Sequence, residues 1–326
     1  MLETLSHKGR VIPHVPHIGF AEIDAQLSWK GVADALLDGH RGHRAVHDDL
    51  WLEHESKGFF NRCALIPGLG LATKSVTVFP QNRDASPPRP AIQGAVCLFD
   101  DQSGELLAIL DGELVTKWKT TGDSILGARL LARPDSKHLL IVGAGTVGGH
   151  AIDAYCELFP TLETINIWNR SADGADALVH SNQHRCPRVA RVLDLAEAVG
   201  KADIVACATM SPDPIISGAW ANPGCHFDLV GAFLPHMREA DNDLLLASKI
   251  YVDSRKSTFH DIGELAIPLS EGVITKQDVL GDYYDLCHTS IPRHADDITL
   301  LKNGGGGHLD LMCAHYIYTA YLQSHS

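Results

Sequence analysis

Three glycines at the spacing Gly-x-Gly-x-x-Gly follow an apolar run and are typical of a pyrophosphate site. The run spans residues 139–142, and the glycines are Gly143, Gly145 and Gly148. In a dinucleotide site the first glycine permits a tight turn, the second lets backbone amides approach the pyrophosphate, and the third lets the helix pack closely on the strand. The helix would begin at Thr146 and Val147, with the phosphates at its N-terminus. Any glycine-rich turn between a buried strand and a helix has the same pattern, so the neighbouring elements must decide.

Helical and strand-like patterns alternate after these glycines. Residues 150–158 predict a helix, and 164–168 and 202–209 predict strands. Repeated strand–helix–strand alternation favours a doubly wound parallel sheet, the Rossmann architecture of α/β proteins. Thr209 and Asp228 follow strand-like runs, which makes them candidates to line the cofactor or the cleft between domains.

The end of the strand at 164–168 indicates which dinucleotide is bound. An NAD site usually has an Asp or Glu about 20 residues further on, where its carboxylate accepts from the ribose 2′-hydroxyl. Here the strand is followed by Asn169, Arg170 and Ser171. Because a guanidinium pairs with a 2′-phosphate that a carboxylate would repel, we predict NADPH as the cofactor, with NADH as the alternative. Asn169 and Ser171 would donate hydrogen bonds to the same phosphate; an exposed Arg170 on an ordinary loop is the other interpretation.

Lys74 is a candidate proton donor or anion-binding group. Alternation along 71–79 places its side chain on the same face as Ala72, Val76 and Val78. Burial of a lysine without a partner is costly and lowers its pKa, which suits either role. The same alternation also fits a lysine on an edge strand whose ammonium reaches water.

Two further basic residues are candidates for binding an anionic substrate. Arg62 lies in a strand-like run with apolar residues on both faces, so alternation does not settle its direction. Lys119 precedes Thr120 and the predicted start of a helix, where a carboxylate could meet backbone amides and a cation together. Either residue alone would be interpreted as a surface charge.

The elements that position these groups can be predicted in outline. Trp29 begins an amphipathic helix, with Ser28 as its cap and Gly39 as its stop. Strand-like runs follow, which suggest an antiparallel or mixed sheet; they are 59–66, 71–79, 91–99 and 106–110. The polar, Pro-rich segment 81–90 is either a mobile flap near a site or an inert loop. A helix is predicted at 124–133, and 298–322 reads as helical and returns to the first domain.

Composition excludes several classes of protein. The chain has 326 residues, 45% of them hydrophobic and 21% charged, which is ordinary for a globular protein of about two domains. The net charge of -13 argues against a nucleic-acid binder or an anionic-membrane binder. Residues 1–8 lack the apolar core of a signal peptide, and no run of about 18 apolar residues occurs.

Cysteine and histidine usage add two expectations. Eight cysteines without a Cys-x-x-Cys pair favour a reducing, cytoplasmic location. Nineteen histidines invite a metal site, but two groups of them lack carboxylate or thiolate partners at ligand spacing; they are His14 and His17, and His40, His43 and His47. We expect surface histidines and no metal.

Several segments in order resemble the ornithine cyclodeaminase/mu-crystallin family. They are 61–64, 73–79, 93–112, 143–148, 251–254 and 298–302. The resemblance covers the chain from about Arg62 to Leu311. It implies a Rossmann domain at 121–294 inserted in a mixed α+β substrate-binding and dimerisation domain at 1–120 plus 295–326. A homodimer is implied as well.

The resemblance also implies roles for the basic residues. Residues at the positions of Arg62, Lys74 and Lys119 hold the substrate carboxylate and imine near the nicotinamide. The third of these is Arg in the family, so Lys119 supplies a point charge in place of a fork. Cyclodeaminases carry an Asp in the segment 230–235 that acts as a base on the substrate amine, and this chain has Phe233 there.

Loss of that Asp together with the predicted NADPH preference favours net reduction. Mu-crystallin-like members resemble ketimine reductases, which reduce Δ1-pyrroline-2-carboxylate or Δ1-piperideine-2-carboxylate to proline or pipecolate. Lys74 would hand over the proton, with a bound water as the competing donor. His308 is a candidate to approach the nicotinamide. The alternatives are an ornithine cyclodeaminase or alanine dehydrogenase of the same fold, and a crystallin-like protein that only binds a ligand.

Overall fold

The computed structural model describes residues 15–184, 187–289 and 292–325, in which helices pack on two β-sheets. The strands are β1 (His17–Ile18), β2 (Val46–His54), β3 (Lys57–Ile66), β4 (Gly70–Val78), β5 (Ile92–Phe99), β6 (Leu106–Asp111), β7 (His138–Val142), β8 (Thr164–Trp168), β9 (Arg188–Arg191), β10 (Ile204–Cys207), β11 (His226–Leu229), β12 (Lys249–Val252), β13 (Val279–Gly281) and β14 (Thr299–Lys302). The segment 1–8, which entered the prediction of location, and His14 lie outside the described residues.

The helices flank these sheets and connect them. They are α1 (Phe20–Ile23), α2 (Trp29–Arg41), α3 (Gly112–Leu131), α4 (Thr146–Leu158), α5 (Ala172–Asn182), α6 (Leu195–Val199), α7 (Asn242–Ala247), α8 (Arg255–Thr258), α9 (Gly263–Ser270), α10 (Tyr283–His288) and α11 (Gly307–Ser324). Short 3-10 turns lie at Asp24–Gln26, Pro80–Asp84, Gly218–Trp220 and Lys276–Asp278. The predicted flap at 81–90 begins in the second of these turns, and its mobility stays a prediction.

The first sheet is mixed and has the strand order β1-β6-β5-β4-β3-β2. Strand β1 pairs with β6 in parallel, and the other pairs are antiparallel. Helices α3 and α11 pack on one face of this sheet, and α2 packs on both helices. The predicted mixed sheet is therefore confirmed. Strand β2 was not predicted, because its nine residues are exposed along most of their length and show no alternation of apolar and polar residues.

Helix α2 begins where it was predicted and ends later. The Ser28 hydroxyl caps it by accepting a hydrogen bond from the Gly31 amide at 3.0 Å. The predicted stop at Gly39 is wrong, since the helix continues to Arg41 and is capped by Gly42. A Cβ on Gly39 would lie 2.5 Å from the sulfur of Met312 on α11. This glycine allows close packing of two helices and does not end the helix.

The second sheet is parallel and has the strand order β13-β12-β14-β11-β10-β7-β8-β9. Helix α4 packs on β7 and β10, and α5 packs on β8 and β9. The central strands β10, β11 and β14 are buried along their whole length. The predicted doubly wound α/β architecture is confirmed.

Two elements differ from the predicted domain boundaries. Strand β14 lies in the parallel sheet between β12 and β11, whereas 295–326 was assigned to the first domain and 298–322 was read as helical. A short, fully buried strand has no polar face, so its sequence cannot be told from a buried helix by periodicity. Helix α3 begins at Gly112, before the predicted helix at 124–133, and runs through the boundary at residue 120. It contacts strands of both sheets.

The C-terminal helix occupies the predicted place. Helix α11 leaves the parallel sheet after β14 and packs on α2, α3 and the strands β2 to β5 of the mixed sheet. Within the described ranges, none of the helices is long and apolar enough to cross a membrane.

Candidate active site

The turn between β7 and α4 has the backbone geometry that its glycines require. Gly143 has a φ of 110°, in the region that favours glycine, and its amide donates to the Trp168 carbonyl at 2.9 Å. A Cβ on Gly148 would overlap the Gly143 carbonyl oxygen. The first and third glycines of the motif are therefore required by the turn itself.

The second glycine faces open space. A Cβ on Gly145 would have no described atom within 4 Å. Gly145 is the N-cap of α4, and in the described structure this helix has neither a side-chain cap nor an acidic residue in its first turn. The amides of Thr146 and Val147 belong to that first turn. A pyrophosphate fits this arrangement because the open amides and the helix dipole both favour an anion.

The residues after β8 divide into two groups. The Asn169 side chain accepts from the Ala144 amide at 3.1 Å and donates to the Ser171 carbonyl and hydroxyl oxygens at 3.0 Å. It therefore ties the end of β8 to the glycine turn. Arg170 is exposed at the same place. Of the predicted trio, Arg170 is directed to solvent while Asn169 and Ser171 hold the local backbone.

Thr209 lies at the C-terminal end of β10, next to the loop that follows β11. Its amide and hydroxyl both donate to one oxygen of Glu239, at 2.7 and 2.8 Å, and the Gly231 amide donates to the other at 2.7 Å. Glu239 is fully buried and was not predicted. A carboxylate thus links the loops after two neighbouring strands, at the edge where α/β sheets bind ligands.

Lys74 lies in the interior of the mixed sheet and is nine-tenths buried. Its ammonium donates to the Thr116 hydroxyl at 2.6 Å and forms an ion pair with Asp310 at 3.1 Å. The inward direction predicted by alternation is confirmed. The edge-strand alternative is wrong, because β4 pairs with β3 on one side and with β5 on the other.

Asp310 is the partner that the sequence did not reveal. It lies in the first turn of α11, fully buried, and is separated from Lys74 by more than two hundred residues. Burial by itself would raise the pKa of Asp310, but the nearby charges of Lys74, Lys119 and Arg62 hold it below its usual value. Its second oxygen has no hydrogen-bond partner among the described residues. Among the described residues, the site therefore contains a buried carboxylate with one oxygen still able to accept a hydrogen bond.

Arg62 and Lys119 converge on one glycine. A Cβ on Gly305 would lie 2.8 Å from the Lys119 Nζ and 3.0 Å from an Arg62 Nη. Arg62 also donates from Nε to Asp49 at 3.0 Å, and its guanidinium lies 4.9 Å from the centre of the Phe60 ring. Two cationic groups from different elements thus border the same short piece of backbone.

The position of Lys119 differs from the prediction. It lies within α3 and not at a helix start, because the helix already begins at Gly112. The N-terminus of its own helix is therefore seven residues away. Burial lowers the pKa of Lys119; Asp310 opposes this shift, and the charge of Arg62 adds to it.

The glycine run after β14 is held by a buried carboxylate. Asp253 follows β12, and its side chain accepts from the Gly304 amide at 2.9 Å and the Gly305 amide at 2.5 Å. Gly305 has a φ of 70°. These bonds fix the backbone against which Lys119 and Arg62 lie. Arg62, Lys74 and Lys119, together with the Asp310 carboxylate, form what we call the cationic cluster, and the parallel sheet positions the backbone beside it.

Comparison with known proteins now places the chain. The model of the ornithine cyclodeaminase/mu-crystallin family matches residues 66–325. The chain belongs to this family. A Δ1-pyrroline-2-carboxylate reductase of Paracoccus denitrificans is 46% identical over 302 residues, which cover 92% of this chain and 95% of that protein.

Solved structures of similar fold cover nearly the whole chain. A Thermococcus litoralis Δ1-pyrroline-2-carboxylate reductase in complex with NADH and L-proline has a TM-score of 0.87 at 24% identity, covering 95% of this chain and 98% of that one. An archaeal alanine dehydrogenase dimer with bound NAD has a TM-score of 0.86 at 22% identity, covering 96% and 97%. At this level of identity the likeness establishes the fold.

The structure also gives the positions of Asp228 and Phe233. Asp228 is fully buried within β11, where it accepts from Tyr155 at 3.1 Å and from Asn303 at 2.5 Å. Burial raises its pKa to about 6. Phe233 lies in the loop after β11 with 53% of its surface exposed. Asp228 therefore belongs to a buried network, and it is Phe233 that borders open space.

The expectation of surface histidines is confirmed for His17 and His43, which are exposed, and is wrong for His40. His40 is fully buried, and its Nδ1–H donates to the Leu36 carbonyl at 2.7 Å. His308, also fully buried, packs edge-on against His40 and lies 4.7 Å from the His47 ring centre. Helix α11 and strand β2 bring these rings together, and β2 was missing from the predicted elements.

Proposed function

We propose that this protein reduces a cyclic ketimine carboxylate, Δ1-pyrroline-2-carboxylate or Δ1-piperideine-2-carboxylate, to L-proline or L-pipecolate. The observation that carries the proposal is the convergence of Arg62 and Lys119 on Gly305 beside the Lys74–Asp310 ion pair. The similarity to the Paracoccus reductase over most of both chains supports it.

The cationic cluster has the charge that a carboxylate needs. Arg62 and Lys74 each have an acidic partner, Asp49 and Asp310. Lys119 adds a further positive charge at the same place, and it is almost completely buried. A buried ammonium is unfavourable, so an anionic substrate beside it gains binding energy. Arg62, Lys74 and Lys119 are our proposed substrate-binding residues.

The cofactor would be held at the C-terminal edge of the parallel sheet. A bound, reduced nicotinamide dinucleotide supplies the hydride. The proposed contacts are Gly143, Gly145, Thr146, Val147 and Gly148 for the pyrophosphate, Asn169, Arg170 and Ser171 for the ribose, and Thr209 near the nicotinamide half. The open space over Gly145 and the uncapped start of α4 support the first group.

We further propose that NADPH is preferred to NADH. The exposed Arg170 at the end of β8 supports this, because a guanidinium can pair with a 2′-phosphate through two parallel hydrogen bonds. Asn169 and Ser171 would act mainly by holding the backbone on which Arg170 is carried.

Lys74 is the proposed proton donor. When the imine carbon receives hydride, the ring nitrogen must gain a proton, and an ammonium at the site can provide it. The ion pair with Asp310 holds the ammonium in the site. The bond to Thr116 orients the ammonium. A bound water is the competing donor.

The alternative activity in this family is cyclodeamination, and Phe233 disfavours it. That reaction needs a base for the substrate amine, and a phenyl ring cannot accept a proton. A crystallin-like binding role is disfavoured by the buried Lys74–Asp310 pair, because burying charges costs free energy that a storage protein has no need to spend.

Oxidation of the reduced cofactor tests the proposal directly. Absorbance would be followed with each cyclic imine and with NADPH or NADH, and ammonia release from L-ornithine with NAD would be measured in parallel. We expect rapid imine-dependent oxidation, faster with NADPH, and no ammonia. Ammonia release with little imine reduction would establish the cyclodeaminase instead.

A homodimer is the proposed assembly, formed through the sheet face opposite α3 and α11. Large apolar side chains are exposed there, among them Val46, Leu50, Leu52 and Phe59. Exposed apolar patches of this kind usually mark a protein interface. Light scattering should give the mass of a dimer, and Leu50→Glu with Leu52→Glu should give a monomer. A monomeric wild type would refute this assembly.

A further inference from the structure

His308 is a buried polar side chain whose partners are missing from the described part of the chain. It lies in the first turn of α11 with no exposed surface, and neither ring nitrogen has a hydrogen-bond partner there. A neutral imidazole carries one donor and one acceptor. Leaving either one unsatisfied in a protein interior is unfavourable. A polar ligand is the natural source of the missing bond.

The surroundings of His308 keep it uncharged. Burial lowers its pKa well below the usual value, and positive or protonatable groups from four elements lower it further. These groups are His40 on α2, His47 on β2, Arg62 on β3 and Lys119 on α3. His308 is therefore a neutral hydrogen-bonding group beside the basic side chains of Arg62 and Lys119.

The backbone of the glycine run connects His308 to the cationic cluster. A Cβ on Gly306 would lie 2.6 Å from the His308 Nδ1, and one on Gly305 would lie against the Lys119 Nζ and an Arg62 Nη. Consecutive glycines thus border the imidazole and both cations. A ligand that approaches this two-residue stretch of backbone meets the imidazole beside Gly306 and the cations beside Gly305.

A carboxylate at this place can accept from the imidazole as well as from the cations. Its two oxygens offer about four lone-pair positions. Arg62 has committed Nε to Asp49, and Lys74 has committed its ammonium to Asp310 and Thr116. Another cation would add repulsion to a site that already holds several. A neutral N–H supplies the additional bond without that cost.

We propose that His308 donates a ring N–H to the substrate carboxylate, as the neutral member of a binding group completed by Arg62 and Lys119. The inference rests on the proposed function, because it assumes a substrate with a ring carboxylate. It assigns His308 to substrate binding and leaves the proton transfer to Lys74 or water.

Binding of a substrate-like ring that cannot be reduced tests this role. The probe is pyrrole-2-carboxylate, titrated calorimetrically into the protein with bound cofactor. A hydrogen bond to a charged group contributes about 1.5–3 kcal/mol, so His308→Leu should weaken binding roughly 10- to 150-fold. His308→Asn or His308→Gln, which keep a neutral donor, should restore most of the affinity in at least one case. Unchanged affinity in His308→Leu, or no recovery in either amide variant, would overturn the inference.

Controls separate this role from a structural one. The Kd for the cofactor should stay unchanged in all three variants, and His180→Leu, at an exposed histidine on α5, should bind the probe like the wild type. Pyrrole-2-carboxamide lacks the negative charge, so its affinity should change much less in His308→Leu. If this variant does not fold, the Asn and Gln variants with the same two probes decide.

The test also distinguishes failure of the inference from failure of the proposed function. A wild type that reduces the cyclic imine, together with a His308→Leu variant of unchanged KM, would remove only His308 from the site. A wild type that neither binds the probe nor reduces the imine would overturn both proposals.

Discussion

The phosphate-binding turn and the cationic cluster are built in opposite ways. The turn comes from six consecutive residues, Gly143 to Gly148, and its shape follows from steric limits on the backbone. The cluster comes from β3, β4, α3 and α11, whose residues are far apart in the chain. A site made by local backbone geometry can be predicted from the sequence. For a site made by tertiary packing, the sequence indicates each residue separately but not the contacts between them.

The two regions also differ in the forces that they use. The turn offers backbone amides and open space. The cluster places several charges in a buried environment, where each one shifts the pKa of its neighbours. Substitutions should therefore act sterically in the turn and electrostatically in the cluster.

Lys74→Met should give the largest effect. It removes the proposed proton donor while keeping the stem, and we expect kcat/KM for the imine to fall about 10²- to 10⁴-fold, the range of general acid catalysis. The Kd for NADPH should not change, because the phosphate-binding turn is far from Lys74 in the sequence and is formed by its own local backbone geometry. Steady-state kinetics and fluorescence titration of the cofactor would measure the two quantities.

The variant also leaves Asp310 as an unpaired buried charge, which costs stability. The double variant Lys74→Met/Asp310→Asn removes that charge and should recover the melting temperature without recovering activity. Recovery of activity in the double variant would mean that Lys74 matters for stability only.

Asp228→Asn should change how stability depends on pH. Burial raises the Asp228 pKa from 3.8 to about 6, so between these values the folded protein holds a proton that the unfolded chain has lost. Stability from this group therefore falls as pH rises through that window and stays constant above it, by about 3 kcal/mol in all. Urea unfolding across the window should show a smaller decline in the variant. Asp84→Asn, at an exposed loop residue, should keep the wild-type decline.

Gly148→Ala and Gly145→Ala should separate the two uses of glycine in the turn. A methyl on Gly148 overlaps the Gly143 carbonyl, so overpacking should cost about 1–3 kcal/mol of stability and weaken cofactor binding. A methyl on Gly145 meets open space and should leave the melting temperature unchanged while it blocks the pyrophosphate. If Gly145→Ala binds NADPH normally, the phosphate is not bound at this turn.

Arg170→Asp should give the smallest effect, confined to cofactor preference. Replacing a phosphate partner with a carboxylate should lower the ratio of kcat/KM for NADPH over NADH by roughly tenfold or more. Arg83→Asp, at an exposed loop arginine, should leave the ratio unchanged. A ratio that does not respond to Arg170 would remove the proposed contact with the 2′-phosphate.

The sequence predicted the parts of the molecule that have a local signature. The parallel sheet, most strands of the mixed sheet and the inward direction of Lys74 follow from periodicity and alternation. Strand β14 does not, because a fully buried strand has no polar face. Strand β2 could not be predicted from these patterns either, because apolar and polar residues do not alternate along it.

The partners of the site residues could not be predicted for a different reason. Asp310 pairs with Lys74 only after α11 has packed on β4, and nothing near either residue in the sequence marks that contact. His308 lies close to Arg62 and Lys119 for the same reason. The one signal available in the sequence was a histidine that directly follows a glycine run. It indicated that His308 belongs to the site but not which residues surround it.

The segment from β14 through α11 has a consequence for the order in which the molecule can form. Strand β14 separates β11 from β12 in the parallel sheet, and α11 brings Asp310 and His308 to the mixed sheet. During synthesis neither sheet can reach its final arrangement until residues 299–324 have emerged. The growing chain therefore carries an incompletely covered mixed sheet from residue 111 onward and, once β12 has been made, an open gap in the parallel sheet. Both features expose apolar surface to which a chaperone could bind.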